Sequence, residues 1–416
     1  MRLSTLFTKT SKTVLADETA KNAKLLIQAG FIHKEMAGVY AYLPLGLKVL
    51  ENIKNIVREE MNAIGGQEII MTSLQRQELW EITDRWDDQK VDIWFKSQLK
   101  NGTSVGFGWS HEEPITYMMK NYINSYRDLP AKPYQFQTKL RNELRAKSGI
   151  LRGREFVMKD LYSYSRNETE HQQFYDSVKE AYLRIFERVG LGEITYLTFA
   201  SGGSFTQFSH EFQAIIGAGE DTIYVDKERR LAINQEVLTD EILKQLKLVP
   251  DKLETFKAAE IGNIFSFGVK KSQQLGLYFA DEDGSQKPVI LGSYGIGITR
   301  LMGVIVEHFS DEKGLVWPSS VAPAAVYIAR LGEKPEVVKT ADKLYADLTD
   351  SGIGVIYDDR DIRPGQKFAD ADLMGIPARV VVSDKSVAAN QYEVKWRQQS
   401  QVRHLTRQKL FEKLGV

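Results

Sequence analysis

Arg141 and Glu143 stand two apart at the end of the run Tyr134-Gln-Phe-Gln-Thr-Lys139-Leu140, and their types and spacing suggest chemistry. Apolar and polar residues alternate through that run, which predicts a strand, and residues two apart on a strand share a face. A basic turn, Arg152-Gly153-Arg154, follows, and then a second strand-like run, Glu155-Phe156-Val-Met158-Lys159-Asp160. Two antiparallel strands furnished in this way would clamp a nucleotide, with a guanidinium on phosphate, a carboxylate on a base edge and the Phe156 ring on a base face. Arginine suits the phosphate because its donors form a fixed, permanently charged fork. By themselves, the same two residues would more often be an exposed ion pair on a strand.

Three further segments carry candidate groups. Gly295-Ile-Gly297-Ile-Thr-Arg300 is predicted to open a helix, and it puts Arg300 where a dinucleotide fingerprint needs its third glycine. No Gly-x4-Gly-Lys-Ser/Thr run occurs, so a P-loop is excluded as well. Phe107-Gly-Trp109-Ser110-His111-Glu112-Glu113-Pro114 places a hydroxyl and a carboxylate before a helix expected from Pro114 to Tyr126. Locally, Ser110 reads as an N-cap and Glu112 as a first-turn acid; functionally, Glu112 would face a substrate ammonium. A zinc-protease motif would need histidine where Ile115 stands. The last segment, Gly202 to Gln213, contains His210 in a loop rich in glycine and serine.

These groups must be positioned by a chain of 416 residues, long enough for two or three domains. Basic and acidic residues balance at 55 each, so nucleic acid would be bound through local patches and not a global field. The absence of cysteine rules out disulfides, thiolate zinc sites and a cysteine nucleophile. No window is apolar enough for a membrane span, and the expectation is a soluble cytoplasmic protein. Helices are expected over Thr19–Ala29, over the periodic run Leu50 to Ile64 stopped by Gly65-Gly66, and over His171–Val189. Strands are expected at Glu68–Thr72, Ile194–Phe199, Thr222–Val225 and Gly276–Phe279. Trp317-Pro-Ser-Ser-Val-Ala-Pro323 reads as a linker into alternating strands and helices, an α/β domain.

Taken in order, the segments resemble motifs of the class II aminoacyl-tRNA synthetases, and among them the bacterial prolyl-tRNA synthetase family. Gly38 to Thr72, with Leu43-Pro44-Leu-Gly46, corresponds to motif 1; residues 134–165 correspond to motif 2 and 292–308 to motif 3. The resemblance implies an α+β catalytic domain over 1–320, an antiparallel sheet flanked by helices. A smaller α/β anticodon-binding domain over 321–416 would follow, marked by Asp358-Asp-Arg360-Asp-Ile-Arg363-Pro364 to Pro377. It implies ATP and Mg²⁺ (with no magnesium ligand assigned), L-proline, tRNA(Pro) and a homodimer. Arg141 and Arg300 would be catalytic. Glu143, Arg152, Phe156, Gly295 and Gly297 would complete the ATP site, and Ser110, Glu112, Arg141, Met158 and His210 the proline site. Asp358, Arg360, Arg363, Lys367 and Phe368 would face the anticodon.

Ser110 replaces the family's usual threonine, Trp109 a usual proline, and the loop holding Thr206 and Gln207 is longer than the common pattern. The interval from Asp221 to Gly292 is too short for the inserted editing domain of many bacterial members. Only a stub over 230–260 is expected, and with it no cis-editing of Ala-tRNA(Pro). A threonine-specific relative would need a cysteine-containing zinc site, and an inactive accessory protein would be expected to lack Arg141 or Arg300.

Overall fold

The computed structural model of the chain describes residues 1–13, 18–144, 146, 148–202 and 208–416. It divides into two compact units. One is Met36–Val39 with Lys54–Val304; the other is Met1–Glu35 with Tyr40–Ile53 and Ile305–Val416. The expected linker, Trp317–Pro323, lies inside the second unit. Trp317 is buried there and its indole N–H donates to the Met374 carbonyl at 3.0 Å.

The larger unit is built on a nine-stranded sheet in the order Phe208–Ile215, Thr195–Ser201, Leu231–Asn234, Asp221–Asp226, Glu254–Gly268, Ile290–Gly297, Glu155–Ser165, Pro133–Leu140, Gln67–Glu68. All neighbours are antiparallel except Leu231–Asn234 against Thr195–Ser201 and Gln67–Glu68 against Pro133–Leu140. Phe208–Ile215 also pairs with Glu254–Gly268, so that end of the sheet closes on itself. The amphipathic helix Glu168–Arg188, capped by the Asn167 side chain, covers one face of the sheet. Its Tyr182 and Phe186 rings lie 5.2 and 5.3 Å from Phe212.

Several expectations need correction. The first clamp strand ends at Leu140, so Arg141 and Glu143 lie just beyond it and do not share a strand face. The Glu143 amide donates to the Arg141 carbonyl at 2.7 Å, closing a tight turn that pulls the chain off the sheet. The helix placed at Pro114 spans Glu112–Met119, with His111 and not Ser110 at the N-cap. Of Glu68–Thr72 only Glu68 lies in a strand, the two-residue Gln67–Glu68. Gly276, at φ 72°, caps the helix Lys270–Leu275, and the strand after it is Tyr278–Ala280. The interval read as a stub supplies the strand Leu231–Asn234 and the first part of the fifteen-residue strand Glu254–Gly268, which lies at the centre of the sheet.

In the smaller unit a five-stranded sheet runs Val355–Asp358, Val326–Leu331, Ala378–Ser383, Tyr392–Trp396, Val402–Leu405. The first three strands are parallel and the last two antiparallel. Val337, Ala341, Leu344 and Leu348, spaced along the helix Pro335–Asp350, meet Val326, Ile328, Val380 and Val382 in its core. This is the α/β layer expected beyond the linker.

Candidate active site

Strand register decides which side chains meet. Across five strands, Gln135 pairs with Asp160, Asp160 with Gly295, Gly295 with Asn263, and Asn263 with Glu211. Directly paired residues project from the same face. A second row on that face runs Tyr162, Ser293, Phe265. Asp160, Gly295, Asn263, Glu211, Tyr162, Ser293 and Phe265 accordingly line one cavity of about 270 Å³, with Ser110, Glu112, Lys139, Met158, Arg141, Glu260 and Arg300. A second cavity of about 190 Å³ shares Arg141, Glu260 and Arg300 and adds Glu143, Arg152, Glu220 and Asp221.

The two arginines are aimed by backbone oxygens. Arg141 Nε donates to the Trp109 carbonyl at 3.3 Å, and its guanidinium lies 5.2 Å from the centre of the Phe156 ring. Arg300 donates from Nε to the Leu151 carbonyl at 2.8 Å and from one terminal nitrogen to the Glu260 carbonyl at 2.5 Å. Burial, and after it the Arg300 charge, lowers the Arg141 pKa from its ordinary value, as expected for two cations sharing one hollow. Glycine opens the space they occupy. A Cβ on Gly297 would sit 3.1 Å from Arg300 Cβ, and one on Gly295 would sit 2.8 Å from Asn263 Oδ1.

Glu112 is buried but poorly satisfied. Ser293 Oγ donates to its Oε1 at 3.4 Å, and the Arg85 guanidinium is 3.6 Å from Oε2. Glu113 carries the structural load beside it, taking Arg85 at 2.8 Å, Lys271 at 2.6 Å and the Thr83 hydroxyl at 2.9 Å. Arg85 in turn lies over Trp109 at 4.6 Å and Trp80 at 5.2 Å, within a cluster that includes Trp94. Burial alone would raise the Glu113 pKa; Arg85 and Lys271 outweigh it and hold the carboxyl well below the usual range.

The expected residues separate into three groups. Arg141, Arg300, Ser110, Glu112, Met158 and Gly295 line the first cavity. Glu143 and Arg152 line the second, joined there by an ion pair of 2.8 Å, while Phe156 stands beside Arg141. His210 requires a correction. It belongs to the row Leu161, Tyr294, Ile264 on the opposite face, where its Nδ1 is 2.8 Å from the Tyr175 hydroxyl of the covering helix. Alternation turns its neighbour Glu211 into the cavity instead. The loop residues Gly203 to Gln207, with Thr206 and Gln207 among them, lie outside the described residues.

In the smaller unit, most of the expected anticodon set is taken up internally. Asp358 is fully buried and accepts from Tyr327 at 2.6 Å and from Arg360 at 2.8 Å. Arg360 also pairs with Asp370 at 2.8 Å, and Lys367 is buried on the carbonyls of Arg330 and Asp358. Phe368 lies under Arg379 at 4.1 Å. Arg363 is exposed and makes no ion pair among the described residues.

Reading the sequence missed Glu211, Glu260, Asn263, Phe265, Lys139 and Asp160 as site residues. A period of two running from Met158 marks Asp160 and Tyr162; Glu260 and Asn263 sit on a strand that the sequence does not announce.

Residues 95–309 match the tRNA synthetase class II core domain (G, H, P, S and T), and residues 325–415 match an anticodon-binding domain. Fold and site together define a class II aminoacyl-tRNA synthetase: an antiparallel catalytic sheet followed by an anticodon-binding domain. The proline–tRNA ligases of Rickettsia africae (strain ESF-5) and Anaplasma marginale (strain St. Maries) are 37% and 38% identical to this chain over 409 and 411 residues. The match covers 95% of this chain in both cases, and 96% and 95% of theirs. The chain belongs to the proline–tRNA ligase family. Among solved structures, prolyl-tRNA synthetase from Cryptosporidium parvum with halofuginone and AMPPNP shares the fold, at a TM-score of 0.79 and 18% identity over 95% of this chain and 76% of that one. The same enzyme with L-proline and AMP gives 0.77 at 18% identity, over 95% and 74%.

Replacing Glu113 by glutamine leaves Arg85 and Lys271 buried with a neutral partner, which should cost about 3–5 kcal/mol. Because the folded-state pKa is depressed, this stability is complete above the ordinary glutamate range and lost as acid titration falls through the folded value. Thermal unfolding of wild type and Glu113→Gln between pH 7 and pH 3 checks it. The gap should narrow toward acid, and a constant gap contradicts the assignment.

Proposed function

We propose that this chain activates L-proline with ATP and transfers the prolyl group to tRNA(Pro). The observation that carries the reading is the convergence of Arg141, Arg300 and Glu112 on one cavity in a chain of this family. In activation, a proline carboxylate oxygen attacks the α-phosphorus; the bond to the bridging oxygen breaks and pyrophosphate leaves with its electrons. Charge spreads over phosphoryl oxygens, so alignment and fixed cations carry the catalysis. Arg141 would hold the α-phosphate and the attacking carboxylate together, and Arg300 the γ-phosphate end. Glu143 would accept from the adenine amino group, Arg152 would hold Glu143 in place, and Phe156 would stack on the ring. Glu112 and Ser110 would receive the imino N–H groups, while Met158 closes the apolar side. In transfer, the terminal ribose hydroxyl oxygen of tRNA attacks the prolyl carbonyl carbon, the bond from that carbon to the phosphate oxygen breaks, and AMP departs with the electron pair while the hydroxyl proton passes to phosphate or water.

The donor chemistry fits Mg²⁺. Glu211 and Glu260 both line the cavity, and burial followed by the Glu260 charge pushes the Glu211 carboxyl well above its ordinary range. No group of three such ligands occurs among the described residues, but Mg²⁺ commonly takes one or two carboxylates and completes its shell with phosphate and water. Glu211 and Glu260 would hold the ion, which when bound neutralises phosphate charge.

A homodimer is supported by the open sheet edge at Gln67–Glu68 and the 80% exposed Ile70 beside it. No helix among the described residues is long and apolar enough to cross a membrane, and the cytoplasm is the compartment we assign. Arg363 is the residue we retain for anticodon contact.

Purified protein should catalyse Mg²⁺-dependent ATP–pyrophosphate exchange with proline, far faster than with threonine. Arg141→Ala should lower it by at least about a thousandfold, the scale of one transition-state arginine. Exchange indifferent to proline, or untouched by this substitution, contradicts the reading.

We also infer that cis-editing is absent, since the segment between the motifs is taken up by strands of the catalytic sheet, the helix Glu168–Arg188 that covers it and two short helices, Asp240–Leu246 and Lys270–Leu275. A pocket excludes larger ligands but rejects one smaller by a methylene through only about 1–3 kcal/mol. Alanyl-tRNA(Pro) should therefore persist when incubated with the enzyme; rapid deacylation overturns the inference.

A further inference from the structure

Lys139 is a buried cation for which the activation chemistry above has no task. Its ammonium lies 2.6 Å from His111 Nδ1 and 2.9 Å from Asp160 Oδ2. An ammonium can only donate, so Nδ1 must accept and the ring proton belongs to Nε2. Nε2 is 3.1 Å from the Thr72 carbonyl oxygen, which can only accept. The ring is thereby pinned at both nitrogens in a single tautomer. It is also packed closely against the preceding backbone, since a Cβ on Gly108 would come within 2.8 Å of its Cε1. Asp160 Oδ2 is itself fixed, accepting from Gln135 at 2.9 Å and Tyr162 at 2.8 Å as well. His111 sits between Ser110 and Glu112 and caps the helix that Glu112 begins.

We propose that Lys139 is a positioning residue for amino-acid recognition: anchored on Asp160, it holds His111 in its Nε2–H tautomer against the Thr72 carbonyl and so fixes the turn that presents Ser110 and Glu112 to the imino group. The proposal rests on reading the cavity as the proline site. Lys139 and Asp160 are the charged groups facing the His111 ring; Asp160, Glu112 and Arg141 are those facing Lys139. Burial, and then the Lys139 charge, pushes the His111 pKa down to about 3, so the ring stays neutral through the physiological range. With Lys139 removed, Asp160 becomes the charge facing the ring and favours the imidazolium. Protonation would make Nδ1 a donor drawn toward the Asp160 carboxylate and pull the ring from the position that Lys139 gives it, so the variant should weaken as pH falls.

Lys139→Met keeps most of the side-chain volume and removes the charge. In ATP–pyrophosphate exchange at pH 8 its proline KM should rise about tenfold, the loss of one charged hydrogen bond, with the ATP KM within about twofold of wild type. Between pH 8 and pH 6 the proline KM should climb further in Lys139→Met but not in wild type, and adding His111→Gln should abolish that climb. Wild-type protein without proline-dependent exchange would remove the functional reading and this proposal together. Active wild type beside a variant with unchanged proline KM and pH profile overturns the proposal alone. A parallel rise in both KM values with a flat pH profile also overturns it, leaving Lys139 a purely structural cation. Should Lys139→Met fail to fold by circular dichroism, His111→Gln carries the test: a raised proline KM with normal ATP KM supports the role, and an unchanged one overturns it.

Discussion

Two guanidinium groups held against their mutual repulsion are the constraint around which the larger unit is organised. Arg141 and Arg300 come from positions far apart in the chain yet line the same two adjoining cavities. Like charges in a partly desolvated hollow are unfavourable until an anion arrives, and each arginine is tied to backbone carbonyls that prevent it from swinging away. Glu260 offsets part of the charge, its Oε2 lying 3.4 Å from Arg300. A polyanion bound between them would satisfy both at once, which is preorganisation for charge that moves between oxygens.

The remaining architecture keeps that arrangement rigid. Register across five strands brings Asp160, Gly295, Asn263 and Glu211 into one row, while the intervening residues face the helix Glu168–Arg188. The turn carrying Ser110 and Glu112 is held from two sides, by Arg85 and Lys271 on Glu113 and by Lys139 on His111. Glycines permit close backbone approaches: Gly153 would place a Cβ 2.8 Å from the Gly38 carbonyl, so the basic turn closes only without one. Trp80 and Trp109 lie against the Arg85 guanidinium, and Trp86 and Trp94 extend the same aromatic cluster, which raises the cost of separating Arg85 from Glu113.

How much was legible depended on what each residue's signal was. Arg141, Arg300 and Glu112 could be read only because several motifs occur together and in order; singly, each has a common structural use, as an ion pair or a first-turn acid. The strand Glu254–Gly268 could not, because both of its faces are covered and its buried residues fall in doublets such as Ala258-Ala259 and Ile264-Phe265, without alternation. Glu260 and Asn263 were lost with it. The resemblance assigns His210 to the pocket, yet it lies on the paired strand Phe208–Ile215, where a step of one residue reverses the face and turns Glu211 inward instead. In the smaller unit, Asp358, Arg360 and Lys367 resemble a recognition patch in sequence, yet each is used to close the fold. Charge in a sequence does not reveal whether its partner is another molecule or the same chain.

We propose that the two adjoining cavities take triphosphate and imino acid side by side, with Arg141 at their junction. A crystal structure with a non-hydrolysable prolyl-adenylate analogue, in which a sulfamoyl group replaces the phosphate, tests it most directly. The sulfamoyl oxygens should contact Arg141, the pyrrolidine nitrogen should lie within hydrogen-bond reach of Glu112, and adenine should rest against Phe156. An analogue bound away from Arg141, or with its adenine in the hollow beside Glu112, would contradict it.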